Sequence, residues 1–219
     1  MLQSPAPDIL LPGTILSNGR GIKDLLPEIQ HLSCFTGGMF ALGGRLFTND
    51  SHVSIGARLA RGCAWAYESF PAGIMPELAE VVACPGTEAC EWDEGRWEEA
   101  SLERGLPRPW TSVRDGGWRL RPEAVESLFV MWRVAGEEEW VERAWRMWEA
   151  VEKAAGGEDG VFAMVEDVRV EGGRRVDSME VSFPLLLCLV LSVMLTETEL
   201  LDCRDVEIFL LDLFRPGRH

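Results

Sequence analysis

No two cysteines in the sequence stand as a C-x-x-C pair: Cys34, Cys63, Cys84, Cys90, Cys188 and Cys203 are spaced too widely for the close ligand pairs of a structural zinc site. Basic residues are scarce as well. With 21 Lys and Arg against 36 Asp and Glu, the formal net charge is −15, so neither nucleic acid nor an anionic membrane is a natural electrostatic partner. The glycine pairs Gly37-Gly38 and Gly43-Gly44 lack a following Gly-Lys-Ser/Thr, which argues against a phosphate-cradling loop. The mostly apolar run over residues 181–195 has Pro184 near its start and falls short of the roughly 20 residues that a membrane-spanning helix needs. The opening Met1-Leu-Gln-Ser-Pro-Ala-Pro-Asp8 has neither the basic nor the apolar region of a secretory leader.

What is present suits a folded domain. A hydrophobic fraction of 47% and nine Trp in 219 residues supply enough apolar surface to build a core. Residues 1–30 carry Pro5, Pro7, Pro12, Gly13, Asn18-Gly19 and Gly21, which reads as an irregular lead-in with turns and little regular structure. From His31 to Phe47 apolar residues recur at helical intervals, interrupted by four glycines. Each glycine costs a helix about 1 kcal/mol, so something is expected to pack close to that backbone. An Asn49-Asp-Ser51 sequon follows. Residues 53–70 give a second amphipathic helix with Leu59, Cys63 and Tyr67 on its apolar face.

Residues 80–83 read as a short strand and residues 90–106 as an acidic, Trp-bearing surface excursion. The central helix lies between Pro122 and Gly136, residues suited to a helix start and a helix end. Its stripe of Ala124, Val125, Leu128, Phe129, Met131 and Trp132 faces a core, while Glu123 and Glu126 share a face. A further helix over 137–155 carries Trp140, Val141, Ala144, Trp145, Trp148 and Val151 as core material, with Glu139–Arg143 and Glu142–Arg146 as i,i+4 pairs. Alternation from Val161 to Val170 suggests a hairpin strand. Helix pairs that each bury one stripe point to concentric helical packing.

Four stretches, in order along the chain, carry a resemblance. Residues 31–35 read His-Leu-Ser-Cys-Phe, followed by Gly37-Gly38 and Ala41-Leu-Gly; Gly73-Ile-Met-Pro-Glu77 forms a turn; Arg121-Pro-Glu-Ala-Val-Glu-Ser127 opens the central helix; and Asp177-Ser-Met-Glu180 comes last. They resemble the H-L-x-C-F, G-[IL]-x-P-E, R-P-E-x-x-E-S and D-x-M-E segments of the class I α-1,2-mannosidases, glycoside hydrolase family 47. The resemblance runs over residues 25–180 and corresponds to the later half of that family's catalytic domain. It implies a mainly α fold: a partial (α/α)7 barrel, a toroid of helix pairs with short β-hairpins, incomplete in this chain. Residues 1–30 would form the lead-in, 31–180 the barrel half and 181–219 a divergent tail.

Beyond Glu180 the family continues S-F-x-x-x-E-T and closes on N-T-E-A-H-P near its calcium site. Thr196-Glu197 lacks both the Asn before and the A-H-P after. Val181-Ser182 is encodable by GTAAGT, a common intron start, so residues 181–219 are expected to come from a retained intron and a shifted frame. Sequencing of spliced transcripts across the Glu180 codon tests this, and an uninterrupted message with the same tail refutes it.

The resemblance implies inverting, calcium-dependent hydrolysis of terminal α-1,2-linked mannose from a high-mannose N-glycan. Inversion needs two carboxyl groups about 6.5–9.5 Å apart, with room for a water between them and the sugar. Glu123 matches the glutamate proposed as base for that water. His31, Glu77, Arg121 and Glu126 match polar residues on the pocket floor. Ca2+ is the implied cofactor, but the family's ligating threonine has no match, and neither does its general acid in a G-x-D-S-Y-Y-E-Y-like segment. No metal ligand is therefore assigned, and this polypeptide alone is expected to be inactive.

The resemblance also pairs Cys34 with Cys63 across neighbouring helices, which requires Cα atoms about 4.4–6.8 Å apart. Cys84 and Cys90 leave a local bridge and free thiols equally open. Disulfides imply an oxidising compartment, so the full-length product is expected in the endoplasmic reticulum, in the Golgi or outside the cell. Met1 is then read as an internal methionine, and any membrane contact as made through a segment absent here. The rival reading is a non-hydrolytic glycan-binding protein, like the family members that recognise misfolded glycoproteins in the endoplasmic reticulum.

Overall fold

Apolar spacing and helix-end residues decide where the helices lie. A computed structural model describes residues 2–4, 6–86, 90–157 and 161–178; the divergent tail and Met179-Glu180 of the last motif lie outside the described residues. After a single 3-10 turn, His31–Cys34, helix α1 (Phe35–Leu46) leads through a tight turn into α2 (Asp50–Ser69). The Asn49 side chain starts α2 by accepting the backbone N–H groups of Ser51 and His52, which satisfies two donors left free at a helix start.

The glycines let these two helices touch backbone to backbone. A Cβ placed on Gly56 would stand 2.7 Å from the Gly37 carbonyl oxygen and 2.8 Å from the Ala41 nitrogen, and one on Gly44 would stand 2.7 Å from the Val53 side chain. Gly43, by contrast, faces open space. The approach brings Cys34 and Cys63 together as a disulfide with Cα atoms 5.7 Å apart. Closing a loop of that length contributes about 3 kcal/mol by restricting the unfolded chain. Cys84 and Cys90 also form a disulfide, which resolves the local alternative in favour of a bridge.

Strands β1 (Thr14–Ser17) and β2 (Ile22–Leu26) form an antiparallel hairpin, and β3 (Glu28–Gln30), β4 (Leu78–Val81) and β5 (Trp110–Asp115) make a sheet in the order β3-β4-β5. The irregular lead-in expected over residues 1–30 is therefore corrected. Asn18-Gly19, with Gly19 at φ 79°, turns the chain between β1 and β2, because a positive φ is what such a tight reversal requires. The Pro and Gly residues marked the turns correctly but hid the short strands between them.

The acidic excursion contains a short helix, α3 (Glu94–Ala100), capped by Asp93 and burying none of its own residues. Helix α4 (Glu123–Ala135) ends at Gly136 in the left-handed conformation, φ 72°, where a residue without Cβ escapes the steric penalty. Helix α5 (Glu139–Ala155) follows. The hairpin expected over 161–170 reduces to β6 (Met164–Val165) paired with β7 (Arg175–Val176).

Two further expectations change on α5. Trp140, Ala144 and Val151 are buried as expected, but Trp145 is 38% exposed and Met147 fills the inner face instead. Glu139 and Arg146 do not join their i,i+4 neighbours: Glu139 binds Arg61 and Arg146 binds Glu68, both on α2. Arg61 also lies 4.8 Å over the Trp140 ring, so the helix–helix contact outcompetes the weak local pairs.

Trp110, Trp118, Trp140, Tyr67, Ile74, Met75, Leu128 and Met131 occupy the centre of the core. The opposite side of α1 exposes Phe35, Met39, Leu42 and Leu46, continued by Phe47. The architecture is mainly helical, and among the described residues the helices do not close a barrel. No helix among them is long and apolar enough to cross a membrane.

The glycine contacts predict opposite outcomes at two positions. Gly56→Ala drives a methyl into fixed backbone and should lower stability by about 1–3 kcal/mol. Gly43→Ala meets nothing and should raise it by up to about 1 kcal/mol through helix propensity. Denaturant unfolding of both variants checks the pair, and a Gly56→Ala protein as stable as the wild type contradicts the close packing of α1 on α2.

Candidate functional site

Sheet register assembles the site. Gln30 pairs with Leu78, and Leu78 with Asp115, so the residues just past β3, just before β4 and just past β5 meet at one edge. There the His31 N–H donates to the Glu77 carbonyl at 3.0 Å, and the Glu77 N–H donates to the Gly117 carbonyl at 2.8 Å. His31, Glu77 and the run 117–123 are thereby neighbours although they are far apart in sequence.

The Glu77 side chain is 8% exposed and lies between two arginines. Its Oε2 accepts Arg121 Nε and Nη2, each at 3.1 Å, and Arg119 Nη1 at 3.2 Å, while Oε1 accepts the Arg119 backbone N–H at 2.9 Å. A carboxylate this far from water is stable only when paired and hydrogen-bonded on both oxygens, as here. Between the two arginines Leu120 is buried and held at φ 56°, a left-handed conformation that costs a non-glycine residue about 1–3 kcal/mol.

Helix α4 begins immediately afterwards and places Glu123 in its first turn. Glu123 Oε2 is 3.9 Å from His31 Nδ1, and neither atom has a hydrogen-bond partner although both are buried. The other imidazole nitrogen is engaged: Nε2 lies 2.7 Å from the Tyr67 hydroxyl and accepts the Trp118 indole N–H at 3.3 Å. Because an indole only donates, Nε2 is the acceptor and the ring proton sits on Nδ1, facing Glu123.

Burial dominates the electrostatics. It lowers the His31 pKa from 6.5 to about 3, with the Arg121 charge acting in the same direction and a backbone hydrogen bond opposing. Burial likewise raises Tyr67, against the Trp118 hydrogen bond, so the phenol keeps its proton. Glu123 is raised by burial, opposed by a backbone hydrogen bond and by Arg121. Glu126, one turn further along, is raised by burial alone, and its charge adds to the upward shift of Glu123. The site thus offers a neutral donor beside a carboxylate poised above its ordinary range.

All five residues singled out in the sequence come to this edge: His31, Glu77, Arg121 and Glu123 in mutual contact or near contact, and Glu126 beside them. Sequence reasoning passed over Arg119, Trp118, Tyr67 and Ser127. Tyr67 is the one tyrosine of the chain and sits on an apolar helix face, a position where a phenol needs a buried partner. Ser127 ends the R-P-E-x-x-E-S run; its hydroxyl donates to the Cys34 carbonyl and accepts the Gly38 N–H at 2.9 Å, pinning α4 to α1.

A recessed carboxylate, a neutral imidazole and paired guanidiniums gather where helix pairs meet a small sheet. The family model of Glycosyl hydrolase family 47 matches residues 2–185, and the chain belongs to that family. It is 34% identical over 152 residues to a mannosyl-oligosaccharide alpha-1,2-mannosidase 1B of Emericella nidulans, covering 69% of this chain and 28% of that one. A probable mannosyl-oligosaccharide alpha-1,2-mannosidase 1B of Aspergillus fumigatus is 29% identical over 174 residues, covering 80% and 32%. In structure the chain resembles an alpha-1,2-mannosidase from Trichoderma reesei, with a TM-score of 0.67 and 26% identity over 88% of this chain and 37% of that one. The chain therefore spans about a third of the length of these relatives.

The neutral imidazole has a measurable consequence. Between pH 6.5 and about 3 the unfolded chain binds a proton at His31 that the folded chain does not, so this residue lowers stability as pH falls, by up to about 1.4 kcal/mol per pH unit. The raised carboxyls of Glu123 and Glu126 oppose it just above their ordinary range, because there the fold holds protons that the unfolded chain has lost. A 15N NMR titration reads His31 separately: its imidazole should remain neutral and protonated at Nδ1 down to pH 5. An imidazolium at pH 5 contradicts the assignment.

Proposed function

We propose that this chain supplies the water-activating side and the pocket floor of a mannosyl-oligosaccharide α-1,2-mannosidase that trims high-mannose N-glycans with inversion. One observation carries the reading: the buried, unpartnered Glu123 Oε2 lies 3.9 Å from the unpartnered His31 Nδ1. A carboxylate that accepts and an N–H that donates, side by side, suit a water or a sugar hydroxyl. Burial that lifts Glu123 strengthens it as a base, because proton transfer is most effective when the base is matched to working pH.

The other residues hold rather than react. Glu77, with both oxygens occupied by Arg119 and Arg121, anchors the guanidiniums and leaves Arg121 beside the pocket as a cation. Glu126 adds negative charge one turn away. Inversion also requires a protonated carboxyl about 6.5–9.5 Å from the base, and this role is left to a residue outside those singled out here. Calcium, which the family implies, takes six to eight oxygen ligands. Among the described residues no group of three or more His, Cys, Asp and Glu side chains would hold a metal, so no step is assigned to it. The substrate class and the two disulfides favour a secretory-pathway setting.

A second reading is a glycan-binding member of the same family without turnover. The two separate on genomic sequence upstream of the Met1 codon, where an in-frame G-x-D-S-Y-Y-E segment supports the hydrolase.

Activity gives the direct test. The 219-residue chain alone should release no mannose from α-1,2-mannobiose, with or without calcium. Calcium-dependent release that disappears in Glu123→Gln would show that the chain carries its own acid. High-mannose glycan binding, measured by calorimetry, should weaken about 10–100-fold in Arg121→Lys through loss of a charged hydrogen bond. Unchanged binding removes Arg121 from the pocket floor.

A further inference from the structure

The tight turn between α1 and α2 holds Asn49-Asp50-Ser51, a triplet with no part in the glycan pocket. Three of the four polar groups of Asn49 are fully used there. Its backbone N–H donates to the Gly44 carbonyl at 2.7 Å, its carbonyl accepts His52 N–H at 3.1 Å, and its Oδ1 accepts the N–H groups of Ser51 and His52 and the Ser51 hydroxyl at 2.7 Å. The side-chain amide nitrogen Nδ2 is left over: it makes no hydrogen bond and is not among the buried unpartnered atoms. Its surroundings are open, since Arg45, Leu46, Phe47, Thr48, Asp50 and Ser51 are all exposed. Thr48 at φ 55° turns the chain sharply before the helix.

We propose that Asn49 is an N-glycosylation site whose sugar hangs from the α1–α2 turn. Nδ2 is the atom such a modification uses, while helix capping uses only Oδ1, so the same side chain starts α2 and carries the glycan. The hydroxyl required two residues on is present and already bonded to Asn49 Oδ1. Transfer joins Nδ2 to C1 of the first sugar while the C1–O bond to a lipid-pyrophosphate carrier breaks. The carrier leaves with that electron pair, Nδ2 loses one proton, and nothing is oxidised or reduced. Compartments that form disulfides, such as the two described here, are those in which N-glycans are attached. The attached sugar would cover Leu46 and Phe47, which are 74% and 73% exposed, at the point where α1 leaves its apolar stripe open to water.

Asn18 and Asn49 are the only asparagines in the sequence, and Asn18 is followed by Gly-Arg, so the site is unambiguous. The full chain is directed into the secretory route of a eukaryotic host behind a cleavable leader, and the total membrane-enclosed and secreted pools are analysed by intact mass. The wild type should carry a single glycan that peptide-N-glycosidase removes in 18O water, leaving labelled Asp at position 49. Asn49→Asp preserves the capping oxygen, and Ser51→Ala preserves the capping N–H. Both should lose the glycan and keep the wild-type unfolding midpoint within a few degrees, whereas Ser51→Thr should retain it. Wild-type chain in those pools with both disulfides and no glycan overturns the proposal. So does a peptide-N-glycosidase-sensitive glycan that persists in Asn49→Asp.

Discussion

The carboxylate of Glu77 lies between the guanidiniums of Arg119 and Arg121 at the edge of a three-stranded sheet, and the remaining site geometry follows from it. Its backbone joins His31 on one side and Gly117 on the other, which fixes the imidazole at the edge where the arginine pair arrives. The two arginines in turn hold Leu120 in its left-handed conformation and aim the first turn of α4 at His31. Removing one member of such a buried ion pair typically costs about 3–5 kcal/mol, because the other charge is stranded. Here that loss would fall mainly on Arg121, because Arg119 is 38% exposed and keeps Asp115 at 2.6 Å.

Around this anchor the polar groups are ordered by direction rather than by charge. The Trp118 indole N–H donates to His31 Nε2 and the Tyr67 phenol lies against the same nitrogen, so His31 can turn only its Nδ1–H outward. Burial then keeps the ring neutral and Tyr67 protonated. The disulfide Cys34–Cys63 ties the turn that bears His31 to α2, which bears Tyr67, and the Ser127 hydroxyl ties α4 to that turn and to α1. Donors and acceptors fixed in this way need no reorientation when a polar partner arrives.

Legibility in the sequence followed the range of the interactions. Helix α4 was visible because Pro122, Gly136 and the apolar stripe act within a few residues. The glycines of α1 announced close packing, and Gly37 and Gly44 supply it against α2 while Gly43 does not. Glu123, His31, Glu77, Arg121 and Glu126 were reached through motif resemblance, since no local pattern connects residues that sheet register alone brings together. The misses have the same origin. Strands β1 and β2 are too short to show a period between their turn residues. The partners of Glu139 and Arg146 sit on another helix, which i,i+4 spacing does not reveal, and Tyr67 meets His31 across 36 positions.

Leu120 places an unusual limit on sequence drift at the entrance to α4. Its φ of 56° disfavours β-branched residues, for which left-handed backbone is a steric outlier, so valine, isoleucine and threonine are poor replacements. Glycine would relieve the backbone but vacate a side chain that is 1% exposed, and asparagine would bury an amide with no partner. Few side chains are apolar, unbranched at Cβ and large enough to remain, chiefly leucine and methionine. A residue with no polar chemistry of its own is thereby as narrowly specified as the arginines on either side of it.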